Sequence, residues 1–370
     1  MNRYEILDRL GDGAYGEVLK ARSLKTNEVV AIKRLKTLFP TWEECLQLRE
    51  LKSLKVLRHD NIIQLKEVIR DKAQLYFVFE YMDTSLFSWM RGHGPATSEA
   101  QVRNIMAQLF AGLAYMHKHG FFHRDIKPEN CLLASDKTTL KIADLGQARE
   151  IRSRPPFTDY VSTRWYRSPE LLLRASTYNS PIDLWACGCI MAELYLGKPL
   201  FAGSTEADQM CRICSVLGTP TKESWPEGVS MVAHMQFKFP KCNAVPLKQL
   251  IPNASPAAIQ LLVDLLQYDS GRRPTAAQAL QYRFFSPVTT RAEAAPREVK
   301  VPSPEKPEKS EVKRRFWEPK IDDEWKYIPQ PEKTHCKRDV SVPTTATDND
   351  DDDGIVTDTM LQDLLDEVLC

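Results

Sequence analysis

The sequence predicts an α+β fold of two lobes, a small, mostly β lobe followed by a larger, mainly α-helical one. Three observations carry that reading. Residues 4–81 are short β-prone runs punctuated by glycine, whereas from Thr84 to Phe285 apolar residues recur at helical three- and four-residue spacing. After Ser286 the composition turns to Pro, Lys, Glu, Thr and Asp. Of 370 residues, 43% are apolar, enough for the first two segments to bury a full core.

In chain order, Glu28–Lys33 and Leu75–Tyr81 read as strands, and Trp42–Leu57 as one amphipathic helix between them, giving a first lobe of residues 1–81. The second lobe, 82–285, carries helical patterns at Gln101–His119, Ile182–Leu196, Thr205–Leu217 and Pro256–Gln267. Residues 286–353 include VPSPEKPEKSEVKRR and DNDDDDG, cannot bury enough apolar area to offset chain entropy, and are expected to be a disordered tail. Within it, Ser303-Pro304 and the basic Lys313-Arg314-Arg315 are short patterns whose default is a solvated segment. Residues 354–370 close the chain with Ile355, Met360, Leu361, Leu364, Leu365, Val368 and Leu369 set against Asp358, Asp363, Asp366 and Glu367, the pattern of an acidic amphipathic helix. Such a helix docks on its own domain or binds a partner, and sequence does not separate the two.

Lys and Arg total 50 against 49 Asp and Glu, so a net charge of +1 gives no global field for nucleic acid or an anionic membrane. The nine cysteines are odd in number and sit in apolar runs, the usage of a reducing compartment. Cys211 and Cys214 form a CxxC with no second ligand pair, so no metal or redox role is assigned to them. The N-terminus is charged where a signal peptide is apolar, and no run has the length of a membrane span, so a soluble, cytoplasmic protein is expected.

Gly11-Asp12-Gly13-Ala14-Tyr15-Gly16, followed by Glu17 and Val18, lies between β-prone runs with no helix after it. That context favours a hairpin whose backbone amides cover nucleotide phosphates over a dinucleotide site at a helix N-terminus. Val30-Ala31-Ile32-Lys33 places an ammonium at the end of an apolar strand, where it needs anions; phosphates supply them, and so does Glu50 in Leu48-Arg49-Glu50-Leu51. The most specific signal is His123-Arg124-Asp125-Ile126-Lys127-Pro128-Glu129-Asn130, with Asp144-Leu145-Gly146 beyond it. Phosphoryl transfer needs a carboxylate to orient the attacking hydroxyl and take its proton, the role assigned to Asp125. It also needs oxygen ligands for magnesium, assigned to Asn130 and Asp144, while Lys127 reaches the γ-phosphate of ATP.

These residues resemble the protein kinase family over about residues 4–285. Phe157-Thr158-Asp159-Tyr160-Val161-Ser162-Thr163-Arg164-Trp165-Tyr166-Arg167, with MNRYEIL, WEEC, HKHGFFHRD and SPIDLWACGCIMAEL, makes the likeness closer to the CMGC group and, within it, to the male germ cell-associated and intestinal cell kinases. The resemblance implies a bilobal fold with a small antiparallel β lobe and ATP in the cleft. It also implies serine/threonine kinase activity with ATP and magnesium. The nucleotide site it implies comprises Leu10, Gly11, Asp12, Gly13, Ala14, Tyr15, Gly16, Val18, Ala31, Lys33, Phe79, Glu80, Met82 and Leu132. It further implies a switch at Thr158 and Tyr160, thrown by an upstream activating kinase. Phosphate on Thr158 would pair with Arg49, Arg124 and Arg149 and lock Glu50 toward Lys33, while phosphate on Tyr160 would meet Arg164 and Arg167 and shape a pocket for proline. Protein substrates with Ser-Pro or Thr-Pro sites follow, as does a role in cilia or flagella. Glu170 and Arg273 resemble the family's buried ion pair, Asp183 its anchor beneath the catalytic loop, and residues 200–255 its insert.

Leu145 and Gln147 stand where the family usually has phenylalanine and leucine, Ser168 stands for alanine, and Ala14 leaves Tyr15 as the hydroxyl-bearing residue of the glycine loop. A smaller Leu145 implies looser packing in the element that sets active and inactive states. Two rival readings are a catalytically silent scaffold, against which the intact Lys33, Glu50, Asp125, Asn130 and Asp144 count, and a kinase that needs a cyclin-like partner to order the Glu50 helix.

Overall fold

A computed structural model describes residues 2–12, 16–93, 97–152, 163–234, 238–286 and 355–356, all within one compact unit. β1 (Tyr4–Asp12), β2 (Gly16–Ser23), β3 (Val29–Leu38), β4 (Leu65–Asp71) and β5 (Gln74–Glu80) form an antiparallel sheet in the order β1-β2-β3-β5-β4. Val18 lies opposite Lys33 and Ala31 opposite Phe79, so with the two-residue pleat these four side chains share one face.

The helical stretch expected over Trp42–Leu57 is two helices, α1 (Trp42–Leu46) and α2 (Arg49–Val56), a correction to the sequence reading. Thr41 caps α1 by accepting from the Glu44 N–H, and Leu48 is extended, with ψ 127°. The break lets Cys45 of α1 and Leu51 and Leu54 of α2 enter one core with Phe77 and Phe79. A two-residue interruption with neither Gly nor Pro leaves the apolar spacing nearly intact, so it is invisible in the pattern.

The larger lobe runs β6 (Thr84–Ser85), α3 (Leu86–His93), α4 (Glu99–Lys118), β7 (Phe121–Phe122), β8 (Cys131–Leu133), β9 (Leu140–Ile142), β10 (Arg149–Glu150), α5 (Pro169–Leu172), α6 (Pro181–Leu196), α7 (Glu206–Leu217), α8 (Pro226–His234), α9 (Leu247–Leu250), α10 (Pro256–Leu265) and α11 (Ala276–Ala279). The four helices read from spacing are α4, α6, α7 and α10. α6 is buried on every side from Ile182 to Tyr195, a central helix packed by its neighbours, and Gly188 lets α10 approach, since a Cβ there would lie 2.9 Å from Leu266. Arg273 uses all five of its donors, two on Glu170 at 2.7 and 2.8 Å and the rest on the carbonyls of Gln267, Pro181 and Tyr268. This pair fastens the start of α5 to the segment before α11.

β11 (Ile355–Val356) pairs antiparallel with β4, Ile355 opposite Ile69 and Val356 opposite Val68, adding a sixth strand to the sheet. The acidic helix expected over 354–370 is therefore replaced by strand at these two residues. A β-branched pair suits a ladder, and β4 is the sheet edge that offers one. The rest of that segment and of the tail lies outside the described residues.

Candidate active site

The site is assembled from short elements that cannot hold themselves. Asp183, at the first turn of α6 and 1% exposed, accepts from the backbone N–H of His123 (2.8 Å) and of Arg124 (2.9 Å) and bonds the His117 ring at 2.9 Å. Burial works against the Asp183 carboxylate, but these partners outweigh it and hold its pKa below the ordinary value. Arg124 is thereby pinned at a positive φ of 75°. The His123 ring accepts from the Asp125 N–H at Nδ1 (3.2 Å), so its Nε2 donates to the Ala143 carbonyl (3.0 Å), tying the loop before β8 to the end of β9. Lys127 Nζ donates to Asp125 Oδ2 at 2.7 Å, and Asn130 Nδ2 to the Asp125 carbonyl at 2.8 Å and to Oδ2 at 3.2 Å.

Across the cleft, Lys33 Nζ lies 2.6 Å from Glu50 Oε1 and 3.2 Å from Asp144 Oδ1, joining β3, α2 and the segment after β9. Burial opposes the Lys33 ammonium, yet the two carboxylates outweigh it and raise its pKa; Asp144, likewise opposed by burial, is lowered by Lys33. Burial pushes Glu50 up, offset in part by the same lysine. Asp144 has a φ of 60°, a left-handed backbone held by its place between Ala143 and the turn Leu145–Gln147. Leu145 is fully buried in the core that contains Leu51, Leu54 and Phe77.

Phe79 and Met82 are buried in that same core, with Ala31 and Leu132 packed on it, which brings the expected adenine-site side chains from β3, β5, the connection to β6 and β8 together. Glu80 is turned aside, accepting from the Gln64 N–H (2.8 Å) and pairing Lys141 (2.9 Å). Gly16 is required by the close approach of β3, whereas nothing lies within 4 Å of a Cβ on Gly11. Asp12 faces Arg9 and Lys36 at 2.8 Å, and Leu10 is exposed. Gly13, Ala14 and Tyr15 lie outside the described residues. Asn130 and Asp144 form an all-oxygen donor set suited to a hard cation, and no group of three or more His, Cys, Asp or Glu that could hold a metal occurs among the described residues. These are oxygen donors of the kind that magnesium takes.

Residues 4–285 match the protein kinase domain. The chain belongs to the protein kinase family. It is 58% identical over 285 residues to the serine/threonine-protein kinase ICK of Mus musculus and 56% identical to the serine/threonine-protein kinase MAK of Homo sapiens, in each case over 77% of this chain. The cyclin-dependent kinase F-3 of Oryza sativa is 50% identical over 286 residues. The chain spans 45% of the length of the ICK relative and 46% of the MAK relative.

Arg49, Arg124 and Arg149 carry like charges close enough to act on one another. Burial and then the Arg124 and Arg49 guanidiniums depress the Arg149 pKa, as like charges gathered at one place do. Thr158 and Tyr160, proposed to answer them, lie outside the described residues. Arg164 is exposed, whereas Arg167 is buried with its guanidinium 3.6 Å from Glu206 of α7, so the two are engaged differently. Sequence reasoning missed Thr163, which lines one cavity with Asp125, Lys127, Tyr166 and Arg167, although the stretch containing it was singled out. It also missed His117, whose spacing from Asp183 carries no signal. Among the described residues no helix is long and apolar enough to cross a membrane.

Proposed function

We propose that the chain is an ATP-dependent serine/threonine protein kinase. The observation that carries this is the closed Lys33–Glu50–Asp144 triad at 2.6 and 3.2 Å together with Asp125 held by Lys127 and Asn130. Asp125 orients the attacking hydroxyl and takes its proton, and Lys127 beside it faces the transferring phosphoryl charge. Lys33, fixed by Glu50, draws the phosphates into place. Asn130 and Asp144 would hold magnesium, which neutralises phosphate charge when bound. The Thr158-Asp159-Tyr160 stretch favours a switch by phosphate over dependence on a cyclin-like partner. By resemblance the substrate has proline after the target residue. Thr158 and Tyr160 are proposed as the activating phosphosites, recognised on the Thr158 side by the three arginines. A ciliary or flagellar role is proposed on resemblance alone and is checked by locating the tagged chain.

The deciding experiment is magnesium-dependent transfer from ATP to a Ser-Pro peptide. Asp125→Asn is expected to lose about 10²–10⁴-fold in rate with an unchanged melting temperature, and Thr158→Ala/Tyr160→Phe to be weak. A Thr158-phosphorylated wild-type chain that binds ATP and transfers nothing would establish the scaffold reading instead.

A further inference from the structure

We propose that the outer edge of β4 is a strand-docking surface whose occupant is the chain's own segment at Ile355–Val356. In the five-strand sheet β4 is terminal, paired only with β5, and β11 takes its other side in antiparallel register. An edge strand is a ready template for another strand, and proteins usually blunt it with charge, proline or a bulge. β4 carries charge at Lys66, Glu67, Arg70 and Asp71 and an irregular register between Leu65 and Glu67, which leaves Val68 and Ile69, where β11 pairs, as its uncharged stretch. Val68 belongs to the core behind α2 and Ile69 to the core on the opposite face, so both central residues are committed to packing and the edge cannot be made polar there.

The segment that covers it fits this kind of docking. Ile355 and Val356 are the only large apolar residues between Val342 and Met360, and they follow the acidic run Asp350–Asp353. So acidic a stretch cannot form a core of its own. Strand addition asks little of side chains, because backbone hydrogen bonds supply most of the affinity. A ladder of two residues is weak in trans, but tethering turns it into an intramolecular contact at high effective concentration. Val68 shares its core with Leu51 and Leu54 of α2, so docking braces the wall behind the helix that carries Glu50.

The test is hydrogen exchange on the full chain, comparing wild type with Ile355→Pro/Val356→Pro, since proline removes the ladder donors. Amides of Leu65–Asp71 are expected to exchange about tenfold faster in the variant, and those of α6 to be unchanged. Equal exchange of β4 in both proteins overturns the proposal. No nucleotide is needed, so the result stands apart from that of the transfer assay.

Discussion

At Gly16 an added Cβ would lie 2.3 Å from the Arg34 carbonyl oxygen, a backbone atom that cannot step aside. Gly16→Ala is expected to cost about 1–3 kcal/mol, read as a lower denaturation midpoint, and to weaken nucleotide binding because the hairpin must shift. Glu193 makes a different kind of demand. It is 5% exposed, bonded by the Tyr166 hydroxyl at 2.7 Å, and burial pushes its pKa from 4.5 up to about 7, against the hydrogen bond from Tyr166. The folded chain thus keeps a proton that the unfolded chain gives up. This contribution to stability is complete below about pH 4.5 and is lost as pH rises through about 7. Glu193→Gln should therefore flatten the fall in melting temperature between pH 5 and 8; an unchanged slope would place the titrating group elsewhere. The proposed catalytic residues were legible one by one because they lie in short contiguous motifs. Glu193 was not, because a carboxylate in an apolar helix gives no sign of which neighbour it faces.

Among elements, α5 depends on a contact that no local pattern provides. Arg273 reaches it from 103 residues away and places both terminal guanidinium nitrogens on Glu170. Glu170→Ala leaves a buried guanidinium unanswered and is expected to cost about 3–5 kcal/mol; chemical denaturation measures it, and a loss under about 1 kcal/mol would mean that water replaces the carboxylate. The helices α4, α6, α7 and α10 were readable because long periodic faces repeat their signal. The division of α1 from α2 was not, and neither was β11: each is settled by which surface the segment meets. A chain end patterned as a helix becomes strand at Ile355–Val356 once an unpaired edge is within reach.

For the whole molecule, the cleft joins groups that lie far apart in the chain, so binding between the lobes should stabilise both. Magnesium and ATP at about 100 times Kd are expected to add about 2.7 kcal/mol, seen as one cooperative upward shift in melting, with Lys33→Met reducing it; a shift unaltered by that change would take the phosphates away from Lys33. The sequence by itself determined the two-lobed α+β class and named the candidate site residues, since the glycine loop, Val30–Lys33, His123–Asn130 and Asp144–Gly146 are local motifs recognisable from residue type and spacing. Only the tertiary structure decided that Asp183 holds the backbone of His123 and Arg124, that Lys33 meets Glu50 and Asp144 together, and that Ile355 and Val356 pair with β4. Contacts at such separations depend on which faces the folded core turns toward each other, and no periodicity in a single segment encodes the identity of its distant partner.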